Sequence, residues 1–255
     1  VKQGLYLYAL APADASCDFG AIGVPEDGAS AEVRAVAYQG VAAIVSSHAV
    51  AQRLSPTRAR LEAHYRVLRE AGKNLTLVPV AFGHIATEQD IVRLLKRNYK
   101  GILEELKSLD GRVQMCVRVD WDAENLFEYF MSIDPDLAAL RDEIFGRATP
   151  PSEMLKIELG RMFDRRRNEE REKLGESLLA SFEHLDARTE LLAPHGERRV
   201  AEVALLVRRD QVAALEATVY EVAGRWPNGF AFDFSGPFAP FDFVSLELDL
   251  GLKVA

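Results

Sequence analysis

The sequence predicts an α+β protein built from two layered domains. Three observations carry that expectation. Hydrophobic periodicity switches repeatedly between the two-residue repeat of strands and the longer repeat of helices. A helix break at Asp110-Gly111 coincides with a change of charge: residues 1–108 hold 13 basic and 11 acidic side chains (+2), whereas 109–255 hold 18 and 28 (−10). From Gly111 onward the elements read strand, helices, strand, strand, helix, strand, which is the βαββαβ, ferredoxin-like order with a long first helix segment. The expected domains are therefore an N-terminal α+β domain, 1–108, and a C-terminal ferredoxin-like domain, 109–255, carrying a long charged helix.

The elements follow from local chemistry. Leu5 to Leu10 is a buried strand, read as such and not as a signal peptide because it is short and has no clear cleavage site. Ala11 to Ser30, with Pro12, Gly20, Gly23, Pro25 and Gly28, is a loop. Glu32 to Tyr38 and Val41 to Ser47 form a hairpin around Gln39-Gly40. Ser55-Pro56-Thr57 starts a helix whose inward stripe is Leu61, Tyr65, Leu68 and Ala71, ending at Gly72. Leu75 to Val80 is a short strand. Thr87 caps the next helix with Asp90 in the capping-box position, and Ile91, Leu94, Leu95, Asn98, Ile102 and Leu106 mark its inner face.

In the second half, Val113 to Trp121 alternates as a half-buried strand. Asp122 caps a short helix, and Asp134-Pro135 starts another. Pro150-Pro151-Ser152 opens the long helix, which reaches about Leu185. Ala187 to Leu192 and Arg199 to Val207 are strands joined by Ala193-Pro194-His195-Gly196. Asp210 caps a helix ending near Gly224. Phe230, Phe232 and Phe234 form one face of a last strand, which Gly236 and Pro237 stop.

Composition narrows the function. With 48% hydrophobic and 27% charged residues the chain can build cores. Its net charge of −8 argues against a nucleic-acid binder, which needs cations to displace phosphate counterions, and against attraction to anionic lipid. No apolar run approaches the roughly 18 residues of a spanning helix. Cys17 and Cys116 are 99 positions apart and form neither a CxxC nor a disulfide scaffold, which suits a cytoplasmic protein.

No catalytic motif is found. His48, His64, His84, His184 and His195 make no HExxH and no i,i+4 pair, and read as loop or helix-surface residues, so no metal site is expected. GxSxG, Walker A and GxGxxG are absent. Cys116 lies mid-strand and reads as a structural thiol. No catalytic residue, cofactor or metal ligand is expected.

Two stretches are candidates for partner binding. The first is Asp164 to Lys173, with Arg165, Arg166 and Arg167 followed by Glu169, Glu170 and Glu172. It is either a solvated helix surface held by i,i+4 ion pairs, each contributing about 0.2–0.5 kcal/mol, or a docking handle. The second is Phe230 to Phe243, where six of the 13 phenylalanines fall in 14 residues. Phe238, Phe241 and Phe243 lie beyond the strand. They either plug an open end of the domain or form an aromatic patch for a protein partner.

Leu5-Tyr6-Leu7-Tyr8, Leu77-Val78-Pro79-Val80-Ala81-Phe82-Gly83 and Phe234-Ser235-Gly236-Pro237-Phe238-Ala239-Pro240-Phe241, in that order and with the arginine–glutamate helix between the last two, resemble the gas-vesicle proteins GvpF and GvpL over nearly the whole chain. Family members often carry a bulkier or more polar residue where Val80 and Ala239 stand. The resemblance implies a non-enzymatic accessory protein of gas-vesicle assembly with two α+β domains. It implies a cytoplasmic, vesicle-associated protein that contacts the hydrophobic shell protein GvpA and other accessory proteins. The alternative is a small-ligand-binding regulatory module, a use to which ferredoxin-like domains are also put.

Overall fold

The structure, a computed structural model, describes residues 3–13, 19–26, 28–49, 54–146 and 152–248. In chain order the elements are β1 (Gln3–Pro12), β2 (Val33–Tyr38), β3 (Val41–Ala49), α1 (Arg58–Gly72), β4 (Val78–Pro79), β5 (Ile85–Ala86), α2 (Glu88–Arg97), α3 (Tyr99–Ser108), β6 (Arg112–Trp121), α4 (Leu126–Ile133), α5 (Pro135–Phe145), α6 (Glu153–Ala180), β7 (Arg188–Leu192), β8 (Arg199–Arg208), α7 (Val212–Arg225) and β9 (Phe230–Phe238). Short 3-10 turns stand at Arg209–Gln211 and Phe241–Phe243. Cys17 and the Pro150-Pro151 helix start lie outside the described residues.

The chain forms two compact units, Val1–Gln114 together with Pro237–Ala255, and Met115–Gly236. The sequence placed everything after Leu109 in the second domain. The final stretch instead belongs with the first unit, and the reason is specific bonding. Gln114 Nε2 donates to the Asp242 carboxylate, and Asp242 N donates back to Gln114 Oε1 at 3.2 Å. Ser245 donates from N and Oγ to the two oxygens of Glu105.

In the first unit the sheet order is β2-β3-β1-β4, with β5 also pairing β1. The β2–β3 hairpin turns at Gln39, whose φ of 52° is a left-handed conformation. Strand β1 carries a bulge between Leu7 and Ala9. A bulge inserts one residue and shifts the alternation, so Tyr6, Tyr8, Ala9 and Ala11 all join one buried cluster with Ala63, Val67, Leu68 and Ala71 of α1. Leu5, Leu7 and Leu10 are buried as well, so both faces of the strand are covered. The α1 stripe is therefore rotated from the sequence expectation: Ala63, His64, Val67, Leu68 and Ala71 face inward, and Tyr65 is 53% exposed. The segment around Leu75 to Val80 contributes only two ladder residues, Val78 and Pro79. Thr87 caps α2 as expected, accepting from Asp90 N and donating to its carboxylate. The long helix expected from Thr87 to Leu106 breaks at Asn98 into α2 and α3, while Ile91, Leu94, Leu95, Ile102 and Leu106 all remain buried.

In the second unit the sheet order is β7-β8-β6-β9. Strand β6 is buried on both faces from Val113 to Val117, because the polar alternates are engaged and not solvated. Asn125, and not Asp122, caps α4 through bonds from Phe127 N and Glu128 N. Asp134 caps α5 in the same way, with Pro135 in its first turn. Helix α6 ends at Ala180, short of Leu185. It is anchored by Arg171, which donates to the carbonyls of Gly196, Glu197 and Arg199 at 2.7–2.8 Å and lies over the Trp121 ring. Phe163 of the same helix packs on Phe127 and Phe130, which in turn meets Trp121. Asp210 sits in a 3-10 turn bound to Arg208 and does not cap α7. Strand β9 runs through Gly236 and Pro237 to Phe238. An edge strand tolerates proline because its outward N–H has no ladder partner to lose. Phe230, Phe232 and Phe234 are only partly buried, with Trp226 set edge-on against the first two.

Candidate functional site

Among the described residues, the buried polar side chains Ser46, His48 and His64 lie in the first unit, on β3 and α1 beside β1. The Tyr6 hydroxyl is 2.9 Å from His64 Nδ1 and accepts from Gly83 N at 3.1 Å. The Tyr8 hydroxyl is 2.8 Å from Ser46 Oγ and accepts from Val24 N at 2.6 Å. The two tyrosine rings are 4.7 Å apart, and His64 stacks on Tyr8 while meeting Tyr6 and Phe82 edge-on. Tyr6, Tyr8, Ser46, His48 and His64 are all buried. Gly23 is required beside them. A Cβ there would lie 2.7 Å from the Ala31 carbonyl and 2.8 Å from the Tyr8 hydroxyl.

Burial sets the protonation of this knot. It pulls the His64 imidazole down from 6.5 to about 4, with nearby His84 adding to the effect. It also lowers His84, pushes Tyr6 well above the usual phenol range and raises Tyr8 as well. His64 is thus neutral and both tyrosines are protonated at neutral pH. Such a cluster is a hydrogen-bonded clamp, since neither phenol nor imidazole changes charge where it is stable. Nε2 of His48 and of His64 have no hydrogen-bond partner among the described residues.

The sequence read His48 and His64 as surface residues, and the structure buries both. The available signal was the Ala63, Val67, Ala71 series at i, i+4, i+8, which defines a small-residue inner stripe with His64 beside it.

The three sequence motifs meet at this place. Tyr6 and Tyr8 come from the first and Phe82 and Gly83 from the second. From the third, Ala239 packs against the same cluster and Phe241 lies 6.2 Å from the Tyr65 ring on the outer side of α1. Phe238 is 43% and Phe241 36% exposed, whereas Phe243 is 4% exposed. The plug and the patch are therefore divided among the three rings: Phe243 is core and drops out as a contact residue, and Phe238 and Phe241 are at the surface.

The arginine helix is less available than its sequence suggested. Arg166 pairs with Asp134, Asp136 and Glu169. Arg167 pairs with Asp164 and lies over the Phe163 ring, and Arg165 is exposed. The expected i,i+4 pairs within this stretch are replaced by i,i+3 pairs, Arg166–Glu169, Arg167–Asp164 and Lys173–Glu170.

On the second sheet, Cys116 Sγ donates to Glu202, which also accepts from Arg118 and Arg199. Burial opposes the Glu202 charge, but the bonds from Arg118 and Cys116 and the two guanidinium charges outweigh it and hold the carboxyl below its usual range. This is a charge-paired structural cluster, with its carboxylate fixed in the ionised form. A cleft of about 280 Å³ between α6 and β7–β8 is lined by Asn168, Arg171, Glu172, Gly175 and Leu191. Its cation, Arg171, is already engaged by three carbonyls. Among the described residues no group of three or more His, Cys, Asp or Glu is arranged to hold a metal, and no helix is long and apolar enough to cross a membrane.

The fold and site define a class: a two-unit α+β protein in which a buried tyrosine–histidine clamp backs helix α1, whose outer side carries Tyr65 beside Phe241. The family model described as gas vesicle synthesis protein GvpL/GvpF matches residues 4–245, and the chain belongs to that family. It is 26% identical over 213 residues to gas vesicle protein F of Streptomyces sp. (strain CB03234), covering 83% of this chain and 87% of that protein. It is 30% identical over 115 residues to gas vesicle protein F of Nostoc sp. (strain PCC 7120), covering 44% of this chain and 47% of that one. The crystal structure of GvpF from Anabaena sp. PCC7120 superposes with a TM-score of 0.75 at 21% identity, covering 96% of this chain and all of that one. GvpF from Microcystis aeruginosa gives 0.69 at 19% identity, with 95% and 99% covered. Membership carries a role in gas-vesicle formation.

Proposed function

We propose that this protein is a non-enzymatic assembly factor, acting in the cytoplasm and on the growing vesicle, that binds the hydrophobic shell protein GvpA and other accessory proteins. The observation that carries this reading is the exposed Tyr65–Phe241 pair on the first unit, beside the point where all three family motifs meet, with Phe238 also exposed on that unit. A shell subunit with apolar surface aggregates unless that surface is covered before assembly. A partner with net charge −8 also adds charge, and hence solubility, to the complex. On its element order and its strand order β7-β8-β6-β9, we read the second unit as ferredoxin-like, a frame that presents α6 and its arginines. Of Arg165, Arg166 and Arg167, Arg165 is the exposed one, and Arg166 and Arg167 act mainly within the unit.

The test is co-purification of the full chain with the shell subunit, compared with Phe238→Ala and Phe241→Ala, and with Arg165→Ala. An aromatic anchor that becomes buried in the interface commonly contributes about 2 kcal/mol or more, whereas an exposed ion pair contributes about 0–1 kcal/mol and is screened by salt. Capture weakened by the phenylalanine changes at unchanged melting temperature supports the reading. Capture that disappears at moderate salt and depends on Arg165 refutes the apolar contact.

A further inference from the structure

We propose that the outer face of α1 is a docking groove for an acidic, amphipathic helical segment of a partner protein, its carboxylates meeting Arg58, Arg66 and Arg69 and an apolar side chain seated against Tyr65 and Phe241. This rests on the reading of the protein as an assembly factor that acts by binding. An open depression of about 590 Å³ is lined by Arg58, Leu61, Glu62, Tyr65, Arg66 and Arg69. These positions fall on one helix face, at steps of three and four residues.

The face holds three guanidinium groups against one carboxylate, in a chain whose net charge is −8. Arg58 is paired with Glu62 at 2.7 Å. Arg66 and Arg69 have no ion pair with any described residue. An acidic partner is repelled by the molecule as a whole and attracted here, which fixes where it lands. Arginine is suited to the task because its fork binds a carboxylate bidentately. The apolar component is local: Leu61 is half-buried, Tyr65 is exposed, and Phe241 stands edge-on to Tyr65.

The groove is also rigid. Its inner side, Ala63, His64, Val67, Leu68 and Ala71, is buried, and His64 is tied to Tyr6. A preformed site avoids the ordering cost that a loop would carry. From Arg58 to Arg69 the face is about 16 Å long at 1.5 Å per residue, which matches about three turns of a partner helix.

The test uses the full chain and two fluorescein-labelled helical peptides of about 15 residues, one with Glu and Leu at helical spacing and one with Lys in place of Glu, read by fluorescence anisotropy. The wild type should bind the Glu peptide at least about 10-fold more tightly than the Lys peptide, and Arg66→Glu/Arg69→Glu should reverse that order. Tyr65→Ala should weaken Glu-peptide binding about 5- to 10-fold without altering the melting temperature. Equal binding of the two peptides overturns the proposal. So does polyglutamate binding as tightly as the Glu–Leu peptide, which would leave only unspecific electrostatics. A concentration-dependent dimer in sedimentation that is lost in Arg66→Glu/Arg69→Glu would assign the groove to a second copy and likewise overturn it. Shell-subunit capture measured on the same proteins separates the two readings. Peptide binding as expected with no capture by the wild type sinks the assembly reading alone, and capture with peptide binding indifferent to the double variant sinks the groove alone.

Discussion

Lowering the pH should destabilise the first unit through His64 before any acid collapse. The imidazole has a folded value of about 4 against the ordinary 6.5. Above pH 6.5 it is neutral in folded and unfolded chains alike, so its contribution to stability is fully present. As pH falls from 6.5 towards 4, the unfolded chain takes up a proton that the buried site refuses, and stability declines by about 1.4 kcal/mol per pH unit. The loss accumulates to about 3 kcal/mol near pH 4 and then stops, because both states are protonated. His84, lowered by burial as well, acts in the same direction. The assay is urea unfolding at pH 7.5, 6.5, 5.5 and 4.5 for the wild type and for His64→Gln, whose amide cannot titrate but can still pair with the Tyr6 hydroxyl. Carboxylates titrate equally in both proteins, so the difference between the curves isolates His64. The wild-type curve should fall more steeply below pH 6.5. Parallel curves across that window would refute the burial argument, whatever offset separates them.

Three further outcomes follow from the same geometry. Tyr8→Phe strands Val24 N–H and the Ser46 hydroxyl and should lower unfolding free energy in urea by about 1–3 kcal/mol. Gly23→Ala forces a Cβ onto the Ala31 carbonyl and the Tyr8 hydroxyl and should cost a similar amount, about 1–3 kcal/mol in the same titration. Phe243→Ala should cost about 3–5 kcal/mol as a buried truncation, while Phe238→Ala should stay within about 0.5 kcal/mol; equal losses in the two would contradict their different burial.

Local chemistry was well written in the sequence. The Thr87–Asp90 capping pair, the Asp134-Pro135 helix start and the Gln39-Gly40 hairpin each depend on side chains within four residues of one another, and each stands where that chemistry puts it. What depends on distant partners was not legible. The Tyr6 and Tyr8 hydroxyls find partners 16 to 77 positions away, so alternation alone marked them as strand residues. The inner α1 stripe lies off the large residues Leu61 and Tyr65 because the small side chains of Ala63 and Ala71 allow close packing on β1. Asp122 and Asp210 are plausible caps on composition, but Asn125 stands nearer to the first α4 N–H groups, and Arg208 takes the Asp210 carboxylate. Of the candidate contact residues, Phe238 and Phe241 reach the surface, and Phe243 is buried in the stretch that returns to the first unit.

That return has a consequence for how the protein is made. Residues 115–236 interrupt a fold whose two parts are separated in the order of synthesis. Strand β1 to helix α3 leaves the ribosome early, but Asp242 follows its partner Gln114 by 128 positions, a delay on the order of ten seconds at 5–20 residues per second. Throughout that interval the Glu105 carboxylate and the Gln114 amide wait without the groups that later satisfy them. The N-terminal half therefore matures last although it is translated first. A nascent chain that stalls, or a product clipped before Asp242, should carry a finished inserted unit and an open first one, with protease nicking concentrated in α3 and α1.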